Sequence, residues 1–239
     1  MVKFLNEKSC FIGDNVEFGE NIIIYENCHI GNNVKIGNNT IIHPSCHIGN
    51  NVTIGENVLI YENNHIGGNC QIGKNTTLLP ANFVETSQIG QKCKLHNSVI
   101  ENAIIKDNVQ IGPFARIRPN SIIENDAKVG NFVEIKNSKI GSGCKISHLA
   151  YVGDAELGQN CNVGCGVIFA NYNGKEKNKT IVKEHVFIGS NCNIIAPVVI
   201  EKDSYICAGT TVTNNIAEGD MAIGRSRQEN KNGYAKKYW

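Results

Sequence analysis

Residues 28–54 read CHIGNNVKIGNNTIIHPSCHIGNNVTI, and within them isoleucine occupies every sixth position from Ile30 to Ile54. The same spacing of large apolar residues extends from Ile12 to Leu78. A period of six matches neither the 3.6-residue turn of an α-helix nor the alternation of an isolated strand, and repeats of fixed period are typical of solenoids. The spacing therefore predicts an all-β fold, a parallel β-helix.

A longer period of eighteen residues supports this prediction. Two columns of ring-bearing residues follow it: Tyr25, His43 and Tyr61, and His29, His47 and His65. Three repeats of six would make one triangular coil. A single short strand cannot bury its apolar residue alone, so coils about 4.8 Å apart must share one core. We therefore expect stability to come from the stacking of successive coils.

Two small breaks and one large break interrupt the repeat. The phase shifts by one residue at 79–88 and again at 99–100, and we interpret both shifts as bulged turns. Further on, the segment NYNGKEKNK must leave the coil, which predicts a protruding loop over residues 171–180. The expected organisation is one β-helix domain over residues 1–220 and a C-terminal tail over residues 221–239, whose path the sequence leaves open.

The composition argues against a highly charged partner. The chain has 239 residues and a formal net charge of +1 at pH 7, so no broad basic face is expected for nucleic acid or an anionic membrane. The start, MVKFLNEKSCFIG, has too short an apolar run for a signal peptide, and no stretch of the chain is apolar for long enough to span a bilayer. We therefore expect a cytoplasmic protein that binds a small polar ligand.

The cysteines and histidines are interpreted as structural residues. Eight cysteines stand two residues before a large apolar repeat position, where a small core side chain fits: Cys10, Cys28, Cys46, Cys70, Cys93, Cys144, Cys161 and Cys192. No CxxC pair occurs, so we expect reduced packing thiols. The histidine column could hold a metal ion, but no carboxylate repeats beside it as a second shell, and a stack of turn-side residues is favoured.

The tandem hexads resemble the left-handed β-helices of the hexapeptide-repeat acyltransferases. Crossovers between parallel strands are generally right-handed, so the left hand is implied by this resemblance and not by the spacing. Proteins of this family usually assemble as homotrimers. The resemblance therefore implies a single-stranded left-handed parallel β-helix, with a second copy of the chain as partner.

Motifs in the second half of the chain make the resemblance more specific. They are GPFARIRP from Gly112, VGNFVEIK from Val129, SHLAYVGDAELG from Ser147, NVGCG from Asn162 and ANYNG from Ala170. Their order and spacing are similar to the acetyltransferase half of the bacterial bifunctional enzymes that make UDP-N-acetylglucosamine. No glycine-rich nucleotide loop precedes the hexads, so we expect no uridylyltransferase activity. The chain is then either a stand-alone acetyltransferase or a fragment of a longer protein.

The resemblance implies a catalytic histidine. His148, in SHLAY, matches the family's general base, and imidazole is the side chain whose ordinary proton affinity suits proton transfer near neutral pH. Glu134 is expected to orient His148 from the second shell. The structural alternative for His148 is a lone histidine on a coil surface.

The resemblance also implies a site for a sugar phosphate. Arg118 and Lys136 match the family's phosphate-binding pair, in which arginine supplies a planar fork and lysine a point charge. Lys177, in the protruding loop, reaches the site from a neighbouring subunit in the family, so the site would need the trimer. Three further positions match residues around the sugar: Tyr151, Asn162 and Asn171.

Acetyl-CoA is the implied co-substrate, with no metal required. The matching positions are Cys165, Tyr172, Ser190, Ala208 and Arg225. Small residues would admit the pantetheine arm, and arginine would meet the nucleotide phosphate. Cys165 replaces the usual alanine, whose backbone N–H serves the oxyanion, and this backbone role survives the change. A two-step route through the thiol is disfavoured because direct attack by the amine, with His148 as base, suffices.

These interpretations lead to a predicted reaction. We expect an N-acetyltransferase that moves acetyl from acetyl-CoA to the amine of glucosamine-1-phosphate. Another amino sugar, or a nucleotide-linked one, is the nearest alternative acceptor. A metal-dependent hydratase of the carbonic anhydrase kind and a scaffold without catalysis are alternatives of other classes. The sequence leaves the acyl chain length and the pathway open.

Overall fold

Each hexad folds into the same local unit, a short strand followed by a turn. In His29–Ile30 the isoleucine is fully buried and the histidine is half-buried, as expected of alternating strand residues. Asparagine occupies the left-handed position of most turns, as at Asn27 and Asn33 with φ of 58° and 56°. Asparagine tolerates this conformation better than most residues, which explains its recurrence in the repeat.

The computed structural model describes residues 2–239, so Met1, the first residue of the predicted β-helix domain, lies outside it. Two short 3-10 helices occur, over Glu7–Ser9 and Tyr234–Lys237. The strands are β1 (Val2–Phe4), β2 (Phe11–Ile12), β3 (Glu17–Phe18), β4 (Ile22–Ile24), β5 (His29–Ile30), β6 (Lys35–Ile36), β7 (Ile41–Ile42), β8 (His47–Ile48), β9 (Thr53–Ile54), β10 (Leu59–Ile60), β11 (His65–Ile66), β12 (Gln71–Ile72), β13 (Thr77–Leu78), β14 (Phe83–Glu85), β15 (Gln88–Ile89), β16 (Lys94–Leu95), β17 (Val99–Glu101), β18 (Ile104–Ile105), β19 (Gln110–Ile111), β20 (Arg116–Ile117), β21 (Ile122–Ile123), β22 (Lys128–Lys136), β23 (Lys139–Ile140), β24 (Lys145–Gly153), β25 (Ala155–Leu157), β26 (Asn162–Val163), β27 (Ile168–Ala170), β28 (Thr180–Val182), β29 (Phe187–Ile188), β30 (Asn193–Ile195), β31 (Val198–Ile200), β32 (Tyr205–Ile206), β33 (Thr211–Val212) and β34 (Met221–Ala222).

The strands form three parallel ladders, one for each face of a triangular solenoid. Face 1 contains β1, β4, β7 and every later strand stacked on them, face 2 begins with β2 and β5, and face 3 begins with β3 and β6. Two nine-residue strands, β22 and β24, bend round the edge between faces 1 and 2 and belong to both. The all-β parallel β-helix predicted from the repeat is confirmed.

The interior is one continuous column of aliphatic side chains. Ile30, Ile48 and Ile66 stack directly in successive coils, and all three are fully buried. Burial of each such side chain contributes about 1.5–3 kcal/mol. Seven of the eight cysteines predicted for the small core slot are buried, and Cys10 is half-buried in the first coil. All ten cysteines are free, as expected of packing thiols.

The two phase shifts are shortened turns and not bulges, so that interpretation was wrong. A bulge inserts a residue, whereas the pairings of Gln71 with Gln88 and of Lys94 with Gln110 show coils that have lost one or two residues. A serine completes the hydrogen bonding of such a turn. Ser87 Oγ donates to the carbonyl of Glu85 at 2.7 Å and accepts from the N–H of Ala103 at 3.1 Å.

The histidine column is a stack of parallel rings on face 2. The centroids of His29 and His47 lie 4.6 Å apart and those of His47 and His65 lie 4.7 Å apart, with Phe11 and Phe83 at the two ends. Within residues 2–239 no group of three or more metal-ligating side chains occurs. The described chain also contains no helix of a length and apolar character that could cross a bilayer.

Candidate active site

One edge of the solenoid, between faces 1 and 2, collects the predicted base and most of the predicted cofactor positions. The register pairs Ile146 with Val163, Val163 with Ile188 and Ile188 with Ile206. The residues two positions after these four are therefore stacked in successive coils: His148, Cys165, Ser190 and Ala208. Arg225 joins them, because its Nη1 donates to the carbonyl of Ala208 at 2.7 Å. We call these five exposed residues the edge column.

His148 has a defined partner on the coil below. Strands β22 and β24 pair Asn131 with His148, and Nδ1 of His148 lies 2.8 Å from Oδ1 of Asn131. An amide oxygen can only accept, so the proton of the neutral ring is on Nδ1 and Nε2 keeps its lone pair. Sequence reasoning missed Asn131, although the pairing of the two motifs that contain these residues could have indicated it.

Glu134 does not contact His148 as predicted. Its Oε1 lies 2.8 Å from Nη1 of Arg118, so the carboxylate forms an ion pair on face 2 instead. Glu134 faces Arg116 and Tyr151 in the ladder, on the far side of the bend from His148. The chain thus supplies an amide, and not a carboxylate, to hold the imidazole.

Cys165 presents an available backbone donor on the edge column. The N–H groups of its neighbours Gly164 and Gly166 donate to the carbonyls of Ile188 and Leu149, both at 2.8 Å. The N–H of Cys165 donates to no group within residues 2–239. Its thiol is exposed. This is the arrangement that the predicted oxyanion contact requires.

A second cluster lies at the other edge of face 2. Arg118, Lys136 and Lys177 line a cleft of 350 Å³ together with Asp154. The close approach and positive charge of Lys136 lower the pKa of Lys177. The structure therefore brings the three predicted cations together within one chain, whereas the resemblance placed Lys177 against a neighbouring subunit. We call this group the cation cleft.

Tyr151 and Asn171 adjoin the cation cleft. Nδ2 of Asn171 donates to the hydroxyl of Tyr151 at 3.5 Å and to Oδ2 of Asp154. Nζ of Lys136 lies 3.3 Å from the same carboxylate. Asp154 was not among the predicted residues, because its contacts depend on how the loop returns to the coil.

Two predicted residues join neither group. Asn162 lies on face 1, where it pairs with Lys145 and Phe187. Tyr172 lies in the protruding loop, and its hydroxyl donates to the carbonyl of Gly174 at 2.8 Å. In one chain the structure therefore separates Asn162 from the other sugar positions and Tyr172 from the edge column.

Comparisons with known proteins extend these observations. The family model described as the GMPPB C-terminal domain matches residues 99–218, which is half of the chain. The model described as bacterial transferase hexapeptide (six repeats) matches residues 9–43, 27–61 and 51–80. The repeat matches agree with the left-handed β-helix that the resemblance implied.

Two curated relatives carry the name Bifunctional protein GlmU. That of Caldicellulosiruptor saccharolyticus is 52% identical over 153 residues, covering 64% of this chain and 33% of the relative. That of Clostridium beijerinckii is 50% identical over 151 residues, covering 63% and 33%. The chain spans about a third of the length of these relatives. They confirm the resemblance to the bifunctional enzymes that the motifs indicated.

Among solved structures, perosamine N-acetyltransferase from Caulobacter crescentus, in complex with CoA and GDP-perosamine, matches 49% of this chain and 53% of its own length. Its sequence identity to the chain is 25% and the TM-score is 0.43.

Proposed function

We propose that the chain, which belongs to the GMPPB C-terminal domain family and carries the bacterial transferase hexapeptide repeat, is an acetyl-CoA-dependent N-acetyltransferase of an amino-sugar phosphate. Its similarity to the relatives named Bifunctional protein GlmU supports this proposal. Glucosamine-1-phosphate is the favoured acceptor, as the resemblance implies. The observation that carries the proposal is the edge column, which sets His148 in line with Cys165, Ser190, Ala208 and Arg225. The proposed location in the cytoplasm rests on the sequence alone.

His148 would act as the general base. As the amine nitrogen attacks the thioester carbonyl carbon, Nε2 takes the proton that the nitrogen loses. The C–S bond then breaks and the departing sulfur takes that proton, so CoA leaves as the thiol and the imidazole is neutral again. A positioned base of this kind contributes about 10²–10⁴-fold in rate. The unpaired N–H of Cys165 lies one coil away and would donate to the oxyanion of the tetrahedral intermediate.

The cation cleft would bind the acceptor phosphate. Arginine and lysine suit phosphate oxygens through directed hydrogen bonds and a point charge respectively. Arg118 forms an ion pair with Glu134, and Lys136 forms one with Asp154. An acceptor without phosphate would lose these contacts, so the cleft favours a phosphorylated amino sugar over a free one.

We also propose that the complete site forms between copies of the chain in a homotrimer. Three bulky apolar residues support this: Phe114, Phe132 and Leu149 lie exposed on the same edge of the solenoid as His148, with φ of 59°, 55° and 42°. Such side chains at positive φ cost backbone energy, which contact with another copy would offset. The mass in sedimentation velocity tests the assembly, and a fully active monomer would contradict it.

The decisive experiment measures thiol release from acetyl-CoA by metal-free protein. Glucosamine-1-phosphate is compared with glucosamine, UDP-glucosamine and other amino sugars. We expect release with glucosamine-1-phosphate and a loss of at least about 10²-fold in kcat for His148→Ala, with an unchanged far-UV spectrum. Thiol release with a different amine, and none with glucosamine-1-phosphate, would keep the proposed reaction and change the proposed acceptor. A fully active His148→Ala protein would refute the assignment of the base.

A further inference from the structure

Asp154 lies at the centre of the cation cleft. Its side chain is only 11% exposed. Oδ1 accepts a hydrogen bond from Nδ2 of Asn137 at 2.5 Å, and Oδ2 accepts from Nζ of Lys136 at 3.3 Å and from Nδ2 of Asn171. Burial disfavours the charged form, yet these three donors hold the pKa of Asp154 below its usual value. The carboxylate is therefore ionised and accepts hydrogen bonds from three donors.

Both ends of the protruding loop are attached to this residue. Asn171, at the start of the loop, contacts the carboxylate, and the N–H of Thr180, at its end, donates to the carbonyl of Asp154 at 3.2 Å. The N–H of Asn178 donates to the carbonyl of Asn171 at 2.7 Å, which closes the loop. Lys177, the neighbour of Asn178, is thereby held over the cation cleft.

The charges of the cleft set two effects of the carboxylate against each other. Arg118, Lys136 and Lys177 are partly compensated by Glu134 and Asp154, which leaves one positive charge for an arriving anion. If Asp154 acted only through its charge, it would repel a phosphate and weaken its binding. If the carboxylate fixes the positions of the cations, it strengthens phosphate binding, because the lysine side chains then lose less conformational entropy when phosphate binds.

We propose that Asp154 is the positioning residue of the acceptor-phosphate site: it orients Lys136 and ties the protruding loop, with Lys177, to the same cleft. This inference rests on the proposed function and deepens it, because it names the residue that holds the cations of the phosphate site in place. The carboxylate itself touches neither the phosphate nor the reacting atoms. It acts through the two lysines.

The first test is Asp154→Asn, which keeps the shape of the side chain and removes its charge. We expect the KM for glucosamine-1-phosphate to rise about tenfold, while kcat and the KM for acetyl-CoA stay within about twofold. A lower KM would show that the carboxylate acts by repulsion alone. An unchanged KM would show that it does not position the lysines. Either result overturns the proposal.

Glu156→Gln is the matched control. Glu156 lies two residues further along, is exposed and pairs with Lys179 of the same loop, so the control removes the same charge from the same region. Within residues 2–239 Glu156 pairs with Lys179 and forms no hydrogen bond or ion pair with Lys136 or Asn171, so we expect its variant to keep the wild-type KM. A rise equal to that of Asp154→Asn would show a general effect of charge and overturn the proposal.

A second variant covers the case in which Asp154→Asn does not fold. Asn137 is exposed with φ of 46°, and Asn137→Gly keeps this left-handed backbone while it releases Oδ1 of the carboxylate. We expect the KM for glucosamine-1-phosphate to rise about threefold, since one of the donors that fix the carboxylate is lost. No change in this folded variant would overturn the positioning role.

A readout without turnover separates this proposal from the proposed function. Inorganic phosphate is titrated into the wild-type protein and into the Asp154→Asn variant, and amide hydrogen exchange is followed in each at Asn178 and Thr180. Asp154→Asn should weaken phosphate binding about tenfold and speed exchange at both amides. Phosphate binding without thiol release for any amine would refute the acetyltransferase and leave the positioning role supported. Equal phosphate affinity in the two proteins would refute the positioning role alone.

Discussion

Asn131 determines which nitrogen of His148 can act as a base. Its amide oxygen, 2.8 Å from Nδ1, holds the ring proton on that side and orients the ring. Nε2 is then the atom that can accept a proton from the amine. The chain achieves this without a carboxylate, because Glu134 is committed to Arg118.

Replacement of this amide should therefore affect the rate and leave substrate binding intact. We expect Asn131→Ala to lower kcat by about tenfold or more, with KM values unchanged, because the ring loses its orientation. Steady-state kinetics with glucosamine-1-phosphate measure the effect. Asn131→Asp should retain activity and move the acidic limb of the pH–rate profile to higher pH, since a carboxylate stabilises the imidazolium. Wild-type kcat for Asn131→Ala would contradict this role.

Within the unit of a strand and its turn, asparagine has two separate structural roles. Asn39 has φ of 58°, and its side chain accepts from Asn21 and donates to Asn57, both at 3.1 Å. A similar ladder runs from Asn15 through Asn33 and Asn51. The residue thus accommodates the left-handed turn and links three successive coils.

Two substitutions at one turn separate the role of asparagine in the left-handed turn from its role in hydrogen bonding between coils. Asn39→Gly keeps the left-handed conformation and loses only exposed hydrogen bonds, so it should cost less than about 1 kcal/mol. Asn39→Ala also places a Cβ at positive φ and should cost about 1–2 kcal/mol more. The free energy of unfolding in urea gives both values. Equal costs would mean that backbone conformation is not the reason for asparagine at this turn.

The elements also show what the sequence could and could not predict. The six-residue period predicts the strands from β2 (Phe11–Ile12) to β13 (Thr77–Leu78) but not β1, which precedes the repeat. The motifs predict His148 and four of the five proposed cofactor positions, which the structure stacks beside it. The contacts of Asn131 and Asp154 are not predictable in this way. They join residues seventeen or eighteen positions apart, and that number changes with each shortened turn. Register set by turn length is a tertiary property, and a local pattern does not contain it.

For the whole molecule, stability is shared among coils that contact only their neighbours. The column of stacked rings on face 2 makes part of the free energy of unfolding depend on pH. Burial, followed by the charges of His65 and His29, lowers the pKa of His47, while Glu85 acts in the opposite direction. The unfolded chain therefore binds this proton more readily than the folded chain does.

The sign of the pH dependence follows from that difference. The contribution of His47 to the free energy of unfolding is fully present above about pH 6.5, the ordinary pKa of histidine. It decreases as the pH falls toward the lowered pKa of His47 in the folded state. We expect the thermal midpoint of unfolding to be lower at pH 5.5 than at pH 7.5. His47→Phe should reduce this difference, since Phe11 and Phe83 show that the same column accepts a phenyl ring. An unchanged difference would exclude His47 as its source.

The strict register of the first coils has a consequence for how such a chain can evolve. Ile30, Ile48 and Ile66 occupy the same position in three successive coils, and each coil contacts only the coils next to it. An in-frame duplication of one coil in this region would lengthen the molecule by about 4.8 Å and leave the proposed active site undisturbed. The same genetic event between Arg118 and Asn171 would separate the cations from the loop that meets them. Variation in length among descendants should therefore accumulate at the amino-terminal end.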